Sequence, residues 1–489
     1  MISRLRATLL LSAVLVAGCS SPRPGLPTAT PDLGRGLAKK VTAEGMLTHL
    51  RALQTIADAN GGNRADGTPG FTASVDYVAK TLRDKGFDVQ TPQFDRLYTV
   101  SMGKPSLTVA GRTYPADQAS LLVQTPPGGL TGQPIRPAQP SGCAAHDYPA
   151  VVPKGAIAVV DDTRCSVVDK QNSALAKGAS ALIVLSAPNG RGVPPTLFSP
   201  GYFKQLTVPV AVVNPYSAAA LAGATAPIHL VLDAVNTKIT SRNVVAQTKA
   251  GTPHEVVVVG AQLDGSRAGP GINDDGSGVA AVLETALQLG PLAPVSNAVR
   301  FVFWGASDGL GGVMDYVFGM DRDQLNDIAL YLNFTMLGSP NAGFFTDDGD
   351  QSGPPGPGVP AADVPEGSAG IERTLAGYLN LAGKRAADMP LNPRAGYHPF
   401  MVAGVPIGGL TTGSSQTKTT VQARLWGGQA GVPYDPNFES ARDTVDKINR
   451  EALGVMGSGV GFAVGSYAMS IGGANGVPPH DKRHRTRMP

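Results

Sequence analysis

Three kinds of residue or pattern are scarce or missing in this 489-residue chain. Cysteine occurs three times only, which excludes a disulfide-dense scaffold. Charged side chains make up 16%, with a net charge of +3. So small a net charge gives no argument for a nucleic-acid partner. No H-E-x-x-H occurs; His254-Glu255 lacks a second histidine four residues on. That removes the helix-borne zinc motif. What is present is 42% hydrophobic residues, with 61 glycines and 41 prolines. The hydrophobic share excludes a disordered protein, and the turn formers point to many short elements. The length allows two or three domains with a large core.

The first residues read as an export signal. Arg4 and Arg6 precede the apolar run Ala7 to Ala17, which is too short to cross a bilayer. Val16-Ala17-Gly18-Cys19 resembles the bacterial lipobox. That resemblance implies a signal peptide over 1–18, a lipid on Cys19, and a protein anchored at the extracytoplasmic face of the cell membrane. The alternative is an ordinary secretory signal. Residues 19–40 read as a flexible tether. With Cys19 lipidated, Cys143 and Cys165 remain, 22 residues apart. In an oxidising compartment they form one disulfide, and otherwise two buried thiols. The last residues, 473–489, are basic and read as a solvated tail rather than a binding patch.

Two helices, Thr42 to Asn60 and Phe71 to Lys85, are predicted from apolar spacing around the turn Arg64-Ala-Asp-Gly-Thr-Pro-Gly70. His49 in the first is read as a packing residue. From 105 to 235 short β-rich runs alternate with turns: Ile157 to Asp161, Ala181 to Leu185 and Val208 to Val213. A helix is predicted over Val167 to Lys177. This stretch resembles the protease-associated (PA) domain, which in relatives forms a lid or wall beside a site. Beyond it, Asn243 to Gln247 and His254 to Ala261 read as adjacent strands. Arg300 to Trp304 and Ile328 to Phe334 are further strands. Strands alternating with helices predict a three-layer α/β/α domain over 41–104 and 236–472. The strand ends should gather a ligand.

Four strand ends carry the pattern of a known family: Gly260-Ala-Gln262-Leu-Asp264, Gly271-Ile-Asn273-Asp274-Asp275-Gly276-Ser277-Gly278, Trp304-Gly305-Ala306-Ser307-Asp308 and Tyr331-Leu-Asn333-Phe-Thr335. A late segment runs Arg394-Ala-Gly-Tyr397-His398-Pro399-Phe400. Together they resemble the M28 metallopeptidases of the aminopeptidase Y and aminopeptidase S type. The resemblance covers roughly the last half of the chain and implies a zinc-exopeptidase-like fold. Gly276-Ser-Gly278 also mimics a dinucleotide fingerprint, but a long loop separates it from its strand.

Matched motif by motif, the resemblance puts the carboxylate that bridges two zinc ions on Asp274, with Asp264 and Asp275 behind the ligands. The histidine ligands fall on Gln262 and Tyr397, the aspartate ligand on Thr335, and the proton-accepting glutamate on Ser307. The remaining glutamate ligand falls on Asp308, in a segment one residue short of the pattern. An amide is a poor zinc ligand beside imidazole, and a serine hydroxyl accepts no proton near neutral pH. The expectation is therefore an impaired peptidase that binds a peptide or protein partner, with no cofactor, or at most calcium or magnesium on the oxygen donors Asp274, Asp275, Asp308, Thr335 and Gln262. One alternative is a working aminopeptidase with rearranged ligands, including a displaced His398. Another is an inserted domain that binds a partner on an inert platform. Asp274 and Asp275 also suit the simpler role of capping the next helix.

Overall fold

The computed structural model describes residues 32–186, 197–199, 201–354, 356 and 358–487. Cys19 and the signal segment lie outside them. The main sheet has eight strands: β1 Val89–Gln90, β2 Val244–Gln247, β3 Thr252–Gln262, β4 Asn297–Trp304, β5 Ile328–Phe334, β6 Phe345–Asp347, β7 Ala387–Met389 and β8 Ile407–Thr411. Their order across the sheet is β1-β2-β4-β3-β5-β8-β6-β7. The central strands β4, β3, β5 and β8 run parallel.

Alternation along β3 explains its depth. Val257, Val259 and Ala261 face one apolar cluster, and Val256 and Val258 face the other. A strand covered on both faces reads as an unbroken apolar run. One face carries α1 Leu33–Lys40, α2 Ala43–Ala59, α3 Pro69–Asp84, α4 Gly276–Leu289, α5 Ser368–Leu381 and α6 Arg450–Met469. Short helices Gly311–Phe318, Arg322–Asp327 and His398–Val402 cover the other. This is the three-layer α/β/α domain.

Between β1 and β2 the chain leaves this domain and returns through a two-stranded antiparallel ribbon, Gln93–Ser101 against Val235–Arg242. At its far end is a β-rich module with a five-stranded and a four-stranded sheet. Cys143 and Cys165 are joined there by a disulfide.

Three expectations need correction. The strands at 243–247 and 254–261 are not neighbours, because β4 lies between β2 and β3; periodicity identifies a strand but not its partner. The tether expected over 19–40 ends early. Leu33–Lys40 is a helix capped by Asp32, with Leu37 and Ala38 buried. It sits so close to α6 that a Cβ on Gly465 would fall 2.7 Å from the Gly34 Cα. The basic tail is not solvated as a whole. Arg483 and Arg485 are each only 6% exposed. Arg485 donates to the carbonyls of Leu325, Gly404 and Ile328, which are left open beside the sheet.

Candidate active site

A cleft of about 1080 Å³ opens over the C-terminal ends of the parallel strands. Its floor is the loop from β3 to α4. Asp275 is the N-cap of α4, accepting from the Gly278 amide. It also accepts from the Gln262 and Met336 amides at 3.0 and 2.9 Å. One carboxylate thus ties the ends of two strands to a helix start. Burial raises its pKa well above the ordinary carboxylate range, although these three amides oppose the shift.

Asp274 is held through its backbone instead. Asp443 accepts from the amides of Asn273 and Asp274 at 2.7 and 3.0 Å. This leaves the Asp274 carboxylate on the cleft wall. Desolvation first, then repulsion from Asp443, Glu439 and Asp435, pushes it up to about 7. Beneath the loop lies Arg64, fully buried. It donates to the carbonyls of Pro270, Leu263 and Gly271 at 2.9, 2.6 and 2.5 Å. Burial lowers its pKa to about 10, and Asp264, Asp443, Asp275 and Asp274 resist that shift. One cation therefore offsets part of the carboxylate repulsion and satisfies three buried acceptors.

Of the residues singled out from the sequence, Gln262, Asp264, Asp274, Ser307 and Asp308 line this cleft together. Asp264 is occupied by Ser307, whose amide and hydroxyl donate to it at 3.0 and 2.9 Å. Burial raises Asp264 to about 6, and these hydrogen bonds oppose the shift. Asp308 is exposed, at the start of a short 3₁₀ turn. Thr335 and Tyr397 are not in the cleft lining. Tyr397 is buried and its hydroxyl accepts from the Asn392 amide at 2.7 Å, while Asn392 itself faces the cleft. His398 is no displaced ligand. It faces a separate cavity with Asp363 and Arg485, and burial lowers its pKa.

Several residues of the site were missed from the sequence. Arg96 and Tyr98 come from the ribbon, and Arg267 and Glu439 from loops. Arg96 donates to Asp66, and the Arg267 guanidinium lies 4.5 Å from the centre of the Tyr98 ring. Arg64 lay within a turn already quoted. Nothing local in the sequence marks Asp443, which reaches the loop across 170 positions.

Comparison with known proteins places this geometry. The model of peptidase family M28 matches residues 243–464, and that of the PA domain matches 130–222. A "Probable lipoprotein aminopeptidase LpqL" of Mycobacterium tuberculosis is 46% identical over 99% of this chain and 98% of its own. The chain belongs to peptidase family M28. An "Aminopeptidase" of Pseudomonas aeruginosa is 36% identical over 92% of this chain and 84% of its own. The structure of a zinc aminopeptidase from Bacillus subtilis shares the fold, with a TM-score of 0.50 and 22% identity over 89% of this chain and 97% of that one.

These findings correct one expectation from the sequence. A chain of this M28 family is not to be read as cofactor-free, nor as a calcium or magnesium protein: zinc is the ion its family implies. In this cleft the residues that could face a cation are the carboxylates of Asp274, Asp308 and Glu439 and the amide of Gln262. No histidine is among the described residues lining it. A catalytic zinc ion takes three protein ligands, usually with imidazole among them. Among the described residues the cleft's own donors are oxygens, with no imidazole to complete such a set.

Proposed function

We propose that this M28 protein is an exported, lipid-anchored aminopeptidase homologue whose cleft receives the free N-terminal residue of a peptide and acts on it there. The observation that carries the reading is the Asp274 carboxylate. Its backbone is held by Asp443, and its side chain is left facing a cleft that also presents Asp308 and Glu439. Such an acidic floor suits a peptide α-ammonium group. Arg267 and Arg394 line the same cleft and suit backbone carbonyls or an acidic side chain further along the peptide. The relatives' names, aminopeptidase in both bacterial cases, support hydrolysis rather than binding alone.

One observation favours a second reading, in which the peptide is bound and not cut. Ser307 stands where the family pattern has its proton acceptor, and its hydroxyl is already donated to Asp264. The test uses the full chain supplied with zinc and a panel of aminoacyl-nitroanilides. Release that is lost on adding chelator and in Asp274→Asn supports hydrolysis. No release, with binding of a free-amino peptide but not its N-acetylated twin, supports the second reading. Binding of neither sinks both. The anchor belongs to the same proposal, supported by the name of the mycobacterial relative. Cys19→Ser should move the protein from the membrane fraction into the medium or soluble extract.

A further inference from the structure

The imidazoles absent from the cleft lining occur as a pair at the opposite end of the same strand. His254, near the start of β3, and His480, in the C-terminal segment, converge on Asp327, the last residue of the helix Arg322–Asp327. His254 Nδ1 is 2.8 Å and His480 Nε2 is 3.3 Å from the same oxygen, Asp327 Oδ1. The two ring centres are 5.8 Å apart. All three ligand atoms lie within 4.8 Å of one another. Gln262 lies eight positions along β3 from His254, so the cluster is about 26 Å from the cleft along the strand.

We infer that His254, Asp327 and His480 form a second, structural site for a zinc-class divalent cation, which fastens the C-terminal segment to the sheet. A tetrahedral ion bound at about 2.0–2.1 Å sets its ligand atoms about 3.3 Å apart. The two imidazole-to-carboxylate separations already lie near that edge. Two imidazoles and one carboxylate, with water in the fourth place, suit zinc and its transition-metal neighbours, whereas calcium and magnesium prefer oxygen donors. The frame that presents the ligands is built independently of any ion. Arg483 donates to the carbonyls of His254 and Asn326 at 3.2 and 2.6 Å, and pairs with Glu255. Arg485 is buried on three more carbonyls. The Glu255 pairing offsets the positive charge of Arg483 beside the site. His254 is largely exposed, with 68% of its side chain open, so its ring has room to turn onto an ion.

The test is a zinc titration of the full chain by competition with a chromophoric chelator. It is repeated on the His254→Gln/His480→Gln double variant and on Asp274→Asn as a control for the cleft. The double variant should lose at least tenfold in affinity for one zinc ion, which Asp274→Asn keeps. Cobalt(II) in place of zinc should give visible ligand-field absorption that disappears in the double variant alone. Zinc should also slow tryptic cleavage after Lys482 in the wild type. Circular dichroism checks that the double variant is folded. If it is not, protection of wild-type histidines from diethylpyrocarbonate by zinc decides the question by itself. Unchanged zinc affinity in a folded double variant, or histidines as reactive with zinc as without it, would overturn the site.

Discussion

Arg64 is the residue on which the cleft floor rests most heavily. It is fully buried, saturates three carbonyls of the β3–α4 loop and faces four aspartates. Arg64→Ala leaves those acceptors unpaired and the carboxylates without their nearest cation. It should cost roughly 3 kcal/mol or more, seen as a lower urea midpoint. A second residue-scale prediction concerns pH. Burial raises both Asp347 and Glu372 to about 7, and Asp347 Oδ2 has no hydrogen-bond partner. Between pH about 4 and about 7 the folded chain keeps protons that the unfolded chain has released. Their contribution to stability is therefore complete at low pH and is lost as pH rises through 7. The urea midpoint should be lower at pH 8 than at pH 5, and Asp347→Asn should flatten that slope. Asp274, Asp275 and the Ser307 position were legible in the sequence because their glycine-rich flanks fix a loop. Asp443 was not, because its role depends on a contact between segments far apart in the chain.

Among the elements, α6 shows how composition misleads and packing decides. It is the one helix among the described residues long and apolar enough to cross a membrane, yet most of it is buried inside the domain. Its glycines allow α1 to approach: Gly461 faces the Leu37 carbonyl, and Gly465 faces the Leu33 carbonyl and Gly34. Gly465→Val should force the helices apart and cost about 1–3 kcal/mol, read by thermal unfolding. The sequence signalled most elements well, since β-branched runs and capped amphipathic stretches have their own periods. It did not signal α1, whose eight residues are too few for a clear period. Nor did it give the order β2-β4-β3, which is a property of pairing rather than of any one strand.

For the whole molecule, the inserted module keeps its own cross-link. The Cys143–Cys165 bond closes a loop of 22 residues, and its loss through Cys143→Ser/Cys165→Ser should cost about 3 kcal/mol. Scanning calorimetry should report it as a lower unfolding temperature. The presence of two modules was legible from the change in sequence texture near 105 and 235, but how they join was not. The ribbon Gln93–Ser101/Val235–Arg242 that connects them also places Arg96 and Tyr98 in the cleft wall. The connection to the accessory module is thus a piece of the cleft lining. A change in the angle of that module would therefore shift two side chains of the cleft wall, Arg96 and Tyr98. Selectivity in such a protein could be retuned by exchanging the accessory part, with the sheet and its loops left untouched.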